Sequence, residues 1–346
     1  MKKYLIPGIP LCETITGIPR YMYEVLIRLD NMLEDNSTNF KLIVCYPNDL
    51  NFVEYKFKNI EIRAVDRNGK KWLPQVILPI AKKENATICD MADGFCLKKG
   101  GIVKIDDVRP IAANFDPWNK KLQTWLLILM ARFNAKVVVT VSESQRSQLR
   151  RLMPNKRIEI FPNGYSQLQR FTSDYKIFDR FPSIKKGEYY YTLGSVAKHK
   201  NFKWIYEVSK KNPDKQFVVA GNQDLAKWGT DSSEITSKNV IYVGYVSDDE
   251  NKALYEHCKA FIHPSLYEGF GMPLLEAVSL GKDIAVSRIP EFVETYGDSI
   301  TYFDPNKYEF DFNTIKHMSN EVRKTILDRF SWDDTAKQWY DLFTEL

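Results

Sequence analysis

The sequence predicts an α/β protein of two parallel-sheet domains, and three observations carry that prediction. The chain has 346 residues, more than one ordinary domain needs. Short apolar runs alternate with amphipathic helical patterns, as in strand–helix–strand units. The series restarts after an aperiodic stretch near the middle. With 44% hydrophobic and 13% aromatic residues, the chain can fill two cores.

Taken in order, strands are expected at "KYLI" near the start, "FKLIVCY" from Phe40, "IEIRAV" from Ile60, "GIVKID" from Gly101 and "AKVVVTVS" from Ala135. Between the last two, Leu122, Trp125, Leu126, Leu129, Met130 and Phe133 recur at helical spacing, as the buried face of a core helix would. Leu127 and Ile128 on the other side widen its apolar arc. "RIEIFPNG" ends a strand in a turn at Asn163–Gly164. The first domain is therefore expected over 1–164. Residues 165–186, which have no clear period and end in "PSIKKG", are expected as a linker.

A second series follows over 187–326: "EYYYTLG", "KQFVVAG", "VIYVG", "AFIHPS" and "DIAVS", again separated by helical segments. The segment 327–346 holds a closing helix with Trp332, Ala336, Trp339, Phe343 and Leu346 on one stripe. In such sheets ligands sit at the carboxyl ends of the strands, so a cleft between the domains is expected.

Composition excludes several classes. A net charge of +5 is weak for nucleic acid. Five scattered cysteines without a CxxC pair read as free thiols in a reducing compartment. Four histidines, none paired at ligand spacing, give no metal site. The start "MKKYLIPGIPLCE" is broken by prolines and a glutamate and makes a poor signal peptide. No run approaches the roughly 18 apolar residues of a membrane span. The expected location is the cytoplasm, with the inner face of the membrane as an alternative.

The stretch "HPSLYEGFGMPLLEA" (263–277) carries the most chemistry. A buried strand candidate, "AFIHPS", leads to Gly269 and Gly271, where the backbone can approach a ligand with its N–H groups outward. Pro273 suits the first turn of a helix, whose positive end accepts anions. A diphosphate fits that helix mouth. Glu276, one turn inside, and Glu268, before the turn, can accept hydrogen bonds from sugar hydroxyls. Read blandly, Glu276 complements the helix dipole and Glu268 is a solvated loop residue.

Glu268-GFGMPLL-Glu276 resembles the E-x7-E motif of the retaining glycosyltransferase family 4. Several other stretches resemble that family in its order. They are "TGIPRYMYEVLIRL" (16–29), "VVVTVSESQRSQL", "IEIFPNG", "GSVAKHKN" (194–201), "SRIPEFVETYGDSITYFDP" (287–305) with its recurrent glutamate at Glu294, and the helix from "FSW". The resemblance implies the GT-B fold. It implies an N-terminal acceptor-binding domain, a C-terminal donor-binding domain and a last helix that crosses back to the first domain.

It also implies a hexosyltransferase-type, retaining and metal-independent enzyme that moves a sugar from a nucleotide-diphosphate sugar to a hydroxyl. The acceptor would be a growing surface or capsular polysaccharide or another glycan, lipid-linked in many members. No cofactor is expected beyond a UDP-, GDP- or dTDP-linked donor, and no nucleic-acid partner. The lack of an Asp-x-Asp pair argues against the metal-dependent GT-A alternative.

Carried over residue by residue, Lys200 matches the family's phosphate lysine. The arginine before it is replaced by His199, so either His199 donates as imidazole or Lys198 supplies the charge. Glu268 is expected at the donor sugar. Gly17, Ser195, Lys198, Lys200, Gly269, Phe270, Gly271, Met272, Leu275 and Glu276 are expected around the nucleotide. Asp106 occupies the place of a family histidine, and Asp106 or Asp107 either contacts sugar or acceptor or merely caps a turn. Arg20 is a further candidate for acceptor or phosphate.

Arg146, Arg150, Arg151, Lys156 and Arg157 form a run without an acid among them, which together with the wide helix around Trp125 suggests either an ordinary basic surface or peripheral contact with anionic lipid. The rival functions are a nucleotide-sugar epimerase on the same fold and a non-catalytic glycosyltransferase-like partner subunit.

Overall fold

The structure, a computed structural model, describes residues 1–14, 17–34, 38–194, 197–221 and 237–346. They form two compact units: Met1–Asn163 with Ser331–Leu346, and Gly164–Phe330.

The first unit is built on seven parallel strands: β1 (Lys2–Pro7), β2 (Phe40–Pro47), β3 (Glu61–Val65), β4 (Thr87–Asp90), β5 (Gly101–Lys104), β6 (Ala135–Thr140) and β7 (Ile158–Ile160). Their order is β3-β2-β1-β4-β5-β6-β7, which changes direction between β1 and β4. The central strands are apolar runs because both faces are covered; Leu5, Val44, Val103 and Val138 are fully buried.

The helix Ile18–Met32 buries Met22, Val25, Leu26 and Leu29 at helical spacing. Against it lies the helix Trp332–Glu345, with Trp332, Ala336, Trp339 and Phe343 buried as the sequence stripe predicts and Leu346 half-buried. Ser331 caps this helix through the Asp333 and Asp334 amides. Trp339 Nε1 donates to Tyr21 Oη at 2.9 Å, and Arg28 Nε to Asp333 at 2.7 Å.

One helix departs from expectation. In Trp118–Asn134 the buried residues are Leu127, Ile128 and Ala131, which pack with Val103, Val138 and Leu149. Leu122, Trp125, Leu126, Leu129 and Phe133 face solvent, and Met130 is half-buried. Two apolar faces share this helix, and the smaller aliphatic one meets the sheet.

The second unit holds six parallel strands, β8 (Tyr189–Leu193), β9 (Gln216–Ala220), β10 (Val240–Gly244), β11 (Ala260–His263), β12 (Ile284–Ser287) and β13 (Thr301–Phe303). Their order, β10-β9-β8-β11-β12-β13, changes direction between β8 and β11. Trp204 stacks on Phe303 at 4.1 Å in its core. Residues 165–186 are counted with this unit. Leu168, Ile177, Phe178 and Ile184 are buried there, and Lys176–Arg180 is a short helix. β4 and β13 are the two strands that went unread in the sequence.

Candidate functional site

In an open parallel sheet, ligands bind beyond the strand carboxyl ends at the point where the strand order changes direction. In the second unit that point lies between β8 and β11. The loop after β8 carries Lys198, His199 and Lys200; the loop after β11 carries Glu268. The His199 carbonyl accepts the Leu266 N–H at 2.7 Å and ties the two loops together. His199 is buried, Lys198 exposed and Lys200 half-buried. Ser195 lies outside the described residues.

Three groups converge on Glu268 Oε1: Lys200 Nζ at 2.7 Å, Ser265 Oγ at 2.6 Å and His263 Nε2 at 2.9 Å. Burial pushes the Glu268 carboxyl up, but the Lys200 ammonium and the His263 hydrogen bond outweigh it and hold the group well below its usual range. His263 is fully buried, and desolvation lowers its imidazole below 6.5 against the opposing pull of Glu268. A neutral imidazole here donates its Nε2–H to the carboxylate. Its Nδ1 is buried without a hydrogen-bond partner among the described residues.

The helix Met272–Ser279 starts at Gly271, whose φ of 98° favours glycine; a Cβ there would lie 2.7 Å from Phe292 Cε1. Pro273 occupies its first turn, as expected. Gly269 and Met272 are half-buried. Phe270 packs edge-on against Phe330 at 5.3 Å, and Leu275 is fully buried. Glu276 is buried one turn in, where Oε1 accepts from Gln167 Nε2 at 2.6 Å and Oε2 from Tyr255 Oη at 3.3 Å. The bland reading of Glu268 as a solvated loop residue does not describe it, since its side chain is 10% exposed and paired with Lys200. Glu294 is exposed, and its carbonyl accepts from Arg329 at 3.4 Å.

The first unit holds a separate group. Gly17 begins the helix Ile18–Met32 at φ 55°, with nothing within 4 Å of where a Cβ would stand. Arg20 in that helix is buried. Lys104, wholly buried at the end of β5, pairs with Asp106 and lies 3.8 Å above the Tyr21 ring. The Asp106 amide donates to Asp93 Oδ1 at 2.7 Å. Burial and the Asp106 charge push the Asp93 carboxyl well up, against the pull of Lys104. Asp107 accepts the Arg109 N–H at 2.9 Å and so caps the turn that follows.

Sequence reasoning assigned no part to His263, Ser265, Gln167, Tyr255, Lys104 or Asp93. Two left a trace: a histidine ending a buried apolar run, and a lysine inside "GIVKID". The expected basic run is largely engaged, with Arg146 paired to Glu143, Arg157 to Glu159 and Glu345, and Lys156 bound to the Ala135 carbonyl.

Comparison with known proteins bears on this arrangement. Residues 174–341 match the family model described as "Glycosyl transferases group 1". The O-antigen chain mannosyltransferase B of Escherichia coli is 28% identical over 232 residues, 59% of this chain; the match spans 59% of that relative's length. Sucrose-phosphate synthase from Thermosynechococcus elongatus superposes with a TM-score of 0.78 at 14% identity, covering 100% of this chain and 99% of that one. Anabaena HepE, solved with UDP and glucose, superposes with a TM-score of 0.72 at 13% identity over 100% of both chains.

Proposed function

Residues 174–341 belong to the glycosyl transferases group 1 family and the chain has the GT-B fold, and on that premise we propose that the protein transfers a sugar from a nucleotide-diphosphate donor to a hydroxyl of a growing surface polysaccharide. The observation that carries the proposal is the Lys200–Glu268 contact at the point where the second sheet changes direction. The name of the E. coli relative makes mannose the first sugar to test.

On this reading the donor pyrophosphate lies at the start of the helix Met272–Ser279, where the positive end of the helix dipole favours anions. Lys200 leaves Glu268 to pair with the phosphate. Glu268, then ionised and held by His263 and Ser265, accepts hydrogen bonds from the sugar hydroxyls. Glu276 takes the ribose diol, with Gln167 and Tyr255 holding its carboxylate in place. Transfer proceeds with retention and without a metal. Stabilising the departing diphosphate supplies most of the rate, so no enzymatic nucleophile is assigned.

The test is a panel of UDP-, GDP- and dTDP-sugars, mannosyl donors first, read by thermal unfolding and then by transfer to glycan acceptors. A ligand at 100 times its Kd adds about 2.7 kcal/mol of stability. A protein that no member of the panel stabilises, and that releases no nucleoside diphosphate from any, does not have this function.

A further inference from the structure

We propose that the helix Trp118–Asn134 docks the first unit onto the surface of an anionic lipid bilayer, lying in the plane of the interface. Trp118 is 75% exposed, Trp125 52% and Phe133 69%, and Leu122, Leu126 and Leu129 are also exposed. Isolated exposed apolar residues are ordinary on a protein surface; a contiguous set on one helix is not.

Their spacing is i, i+4, i+7, i+8, i+11 and i+15. At about 100° per residue this places all six within an arc of about 100°, along a helix roughly 25 Å long. The helix is already fixed to the sheet by its other face, through Leu127, Ile128 and Ala131. The outer stripe is therefore not part of the unit's own core.

Charge identifies the occupant. Between Asp116 and Glu143 the chain has no acid and carries Lys120, Lys121, Arg132 and Lys136. Lys121 Nζ meets the Asn114 side-chain oxygen at 2.6 Å, and Arg132 Nη1 the Leu152 carbonyl at 3.4 Å, so both cations rest on uncharged oxygens. The second bond also brings the end of the helix Glu143–Leu152, with exposed Arg150 and Arg151, to the Phe133 end of the stripe.

An apolar stripe with tryptophans, edged by cations, matches the acyl boundary and phosphate layer of an anionic membrane. A second copy of the chain fits less well, because it would bring the same cations against their equivalents. No helix among the described residues is long and apolar enough to cross a membrane, so the helix lies on the bilayer.

The test is flotation of the full chain with phosphatidylglycerol–phosphatidylethanolamine vesicles, beside phosphatidylcholine vesicles. The wild-type chain is expected to float with the anionic vesicles. R150Q/R151Q should weaken that binding about thirtyfold, the effect of two surface cations. W125E/L129E should abolish it while leaving the circular dichroism and melting temperature unchanged, since both side chains are exposed. Failure of the wild-type chain to float, or W125E/L129E floating like wild type, overturns the proposal. So does a dimer, seen in sedimentation, that W125E/L129E dissolves without any vesicle binding by the wild-type chain.

Discussion

Lys200 Nζ stands 2.7 Å from Glu268 Oε1, although 68 residues separate them in the chain. The pair is charged on both sides and nearly buried, at 18% and 10% side-chain exposure. Removing one partner therefore affects the other. We expect Lys200→Ala to slow turnover on the order of 10²–10³-fold, through lost stabilisation of the leaving group. In a double-mutant cycle with Glu268→Gln, urea unfolding should give a coupling of about 0.5–3 kcal/mol. Wild-type turnover in Lys200→Ala would remove the assignment.

Acid should destabilise the second unit in two stages. His263 is held below 6.5 by burial, so the unfolded chain binds its proton first; the stability from a neutral His263 is full above 6.5 and declines as pH falls below it. Glu268 is depressed well below 4.5, so its contribution is full above 4.5 and is lost as pH falls further, through the folded value. Urea titrations from neutral pH downward should show both stages. His263→Gln should remove the first and Glu268→Gln the second.

Glu276→Ala should raise the donor KM with little change in kcat, because the ribose is bound alike in ground and transition states. Gln167→Ala should do the same more weakly, acting through the 2.6 Å bond that holds the carboxylate. An unchanged KM in Glu276→Ala would contradict the ribose role.

At Gly271, substitution by alanine meets both a positive φ and the Phe292 ring 2.7 Å from the new methyl. A loss of about 1–3 kcal/mol is expected in thermal unfolding. Phe292→Leu should relieve part of it, and a full-stability Gly271→Ala would show that the helix start tolerates a side chain.

Asp106→Asn leaves the buried Lys104 ammonium without its carboxylate. A loss of about 3 kcal/mol is expected, with partial recovery in Lys104→Met/Asp106→Asn, because removing the ammonium as well leaves no buried cation without its partner. Denaturant midpoints of the three proteins check it.

Several of these residues are legible in the sequence itself. Glu268, Gly271, Pro273 and Glu276 sit within one short stretch, where turn and helix chemistry are local. Most strands were readable as apolar runs, and the closing helix by its aromatic stripe. Gln167 and Tyr255 were not readable, because they reach Glu276 only after the chain returns across 109 and 21 residues. The helix Trp118–Asn134 was misread for a different reason. Periodicity reveals an apolar face, not what will cover it, and here the face with the stronger pattern is the exposed one.

The placement of Ser331–Leu346 in the first unit sets an order on folding during synthesis. Trp339 and Phe343 are wholly buried against Tyr21 and Tyr4, which emerge from the ribosome more than 300 residues earlier. The later-made unit is one continuous segment and can complete its interior first, while the earlier-made one waits with an open seam. A nascent chain released at Phe330 would expose that seam to chaperones and proteases.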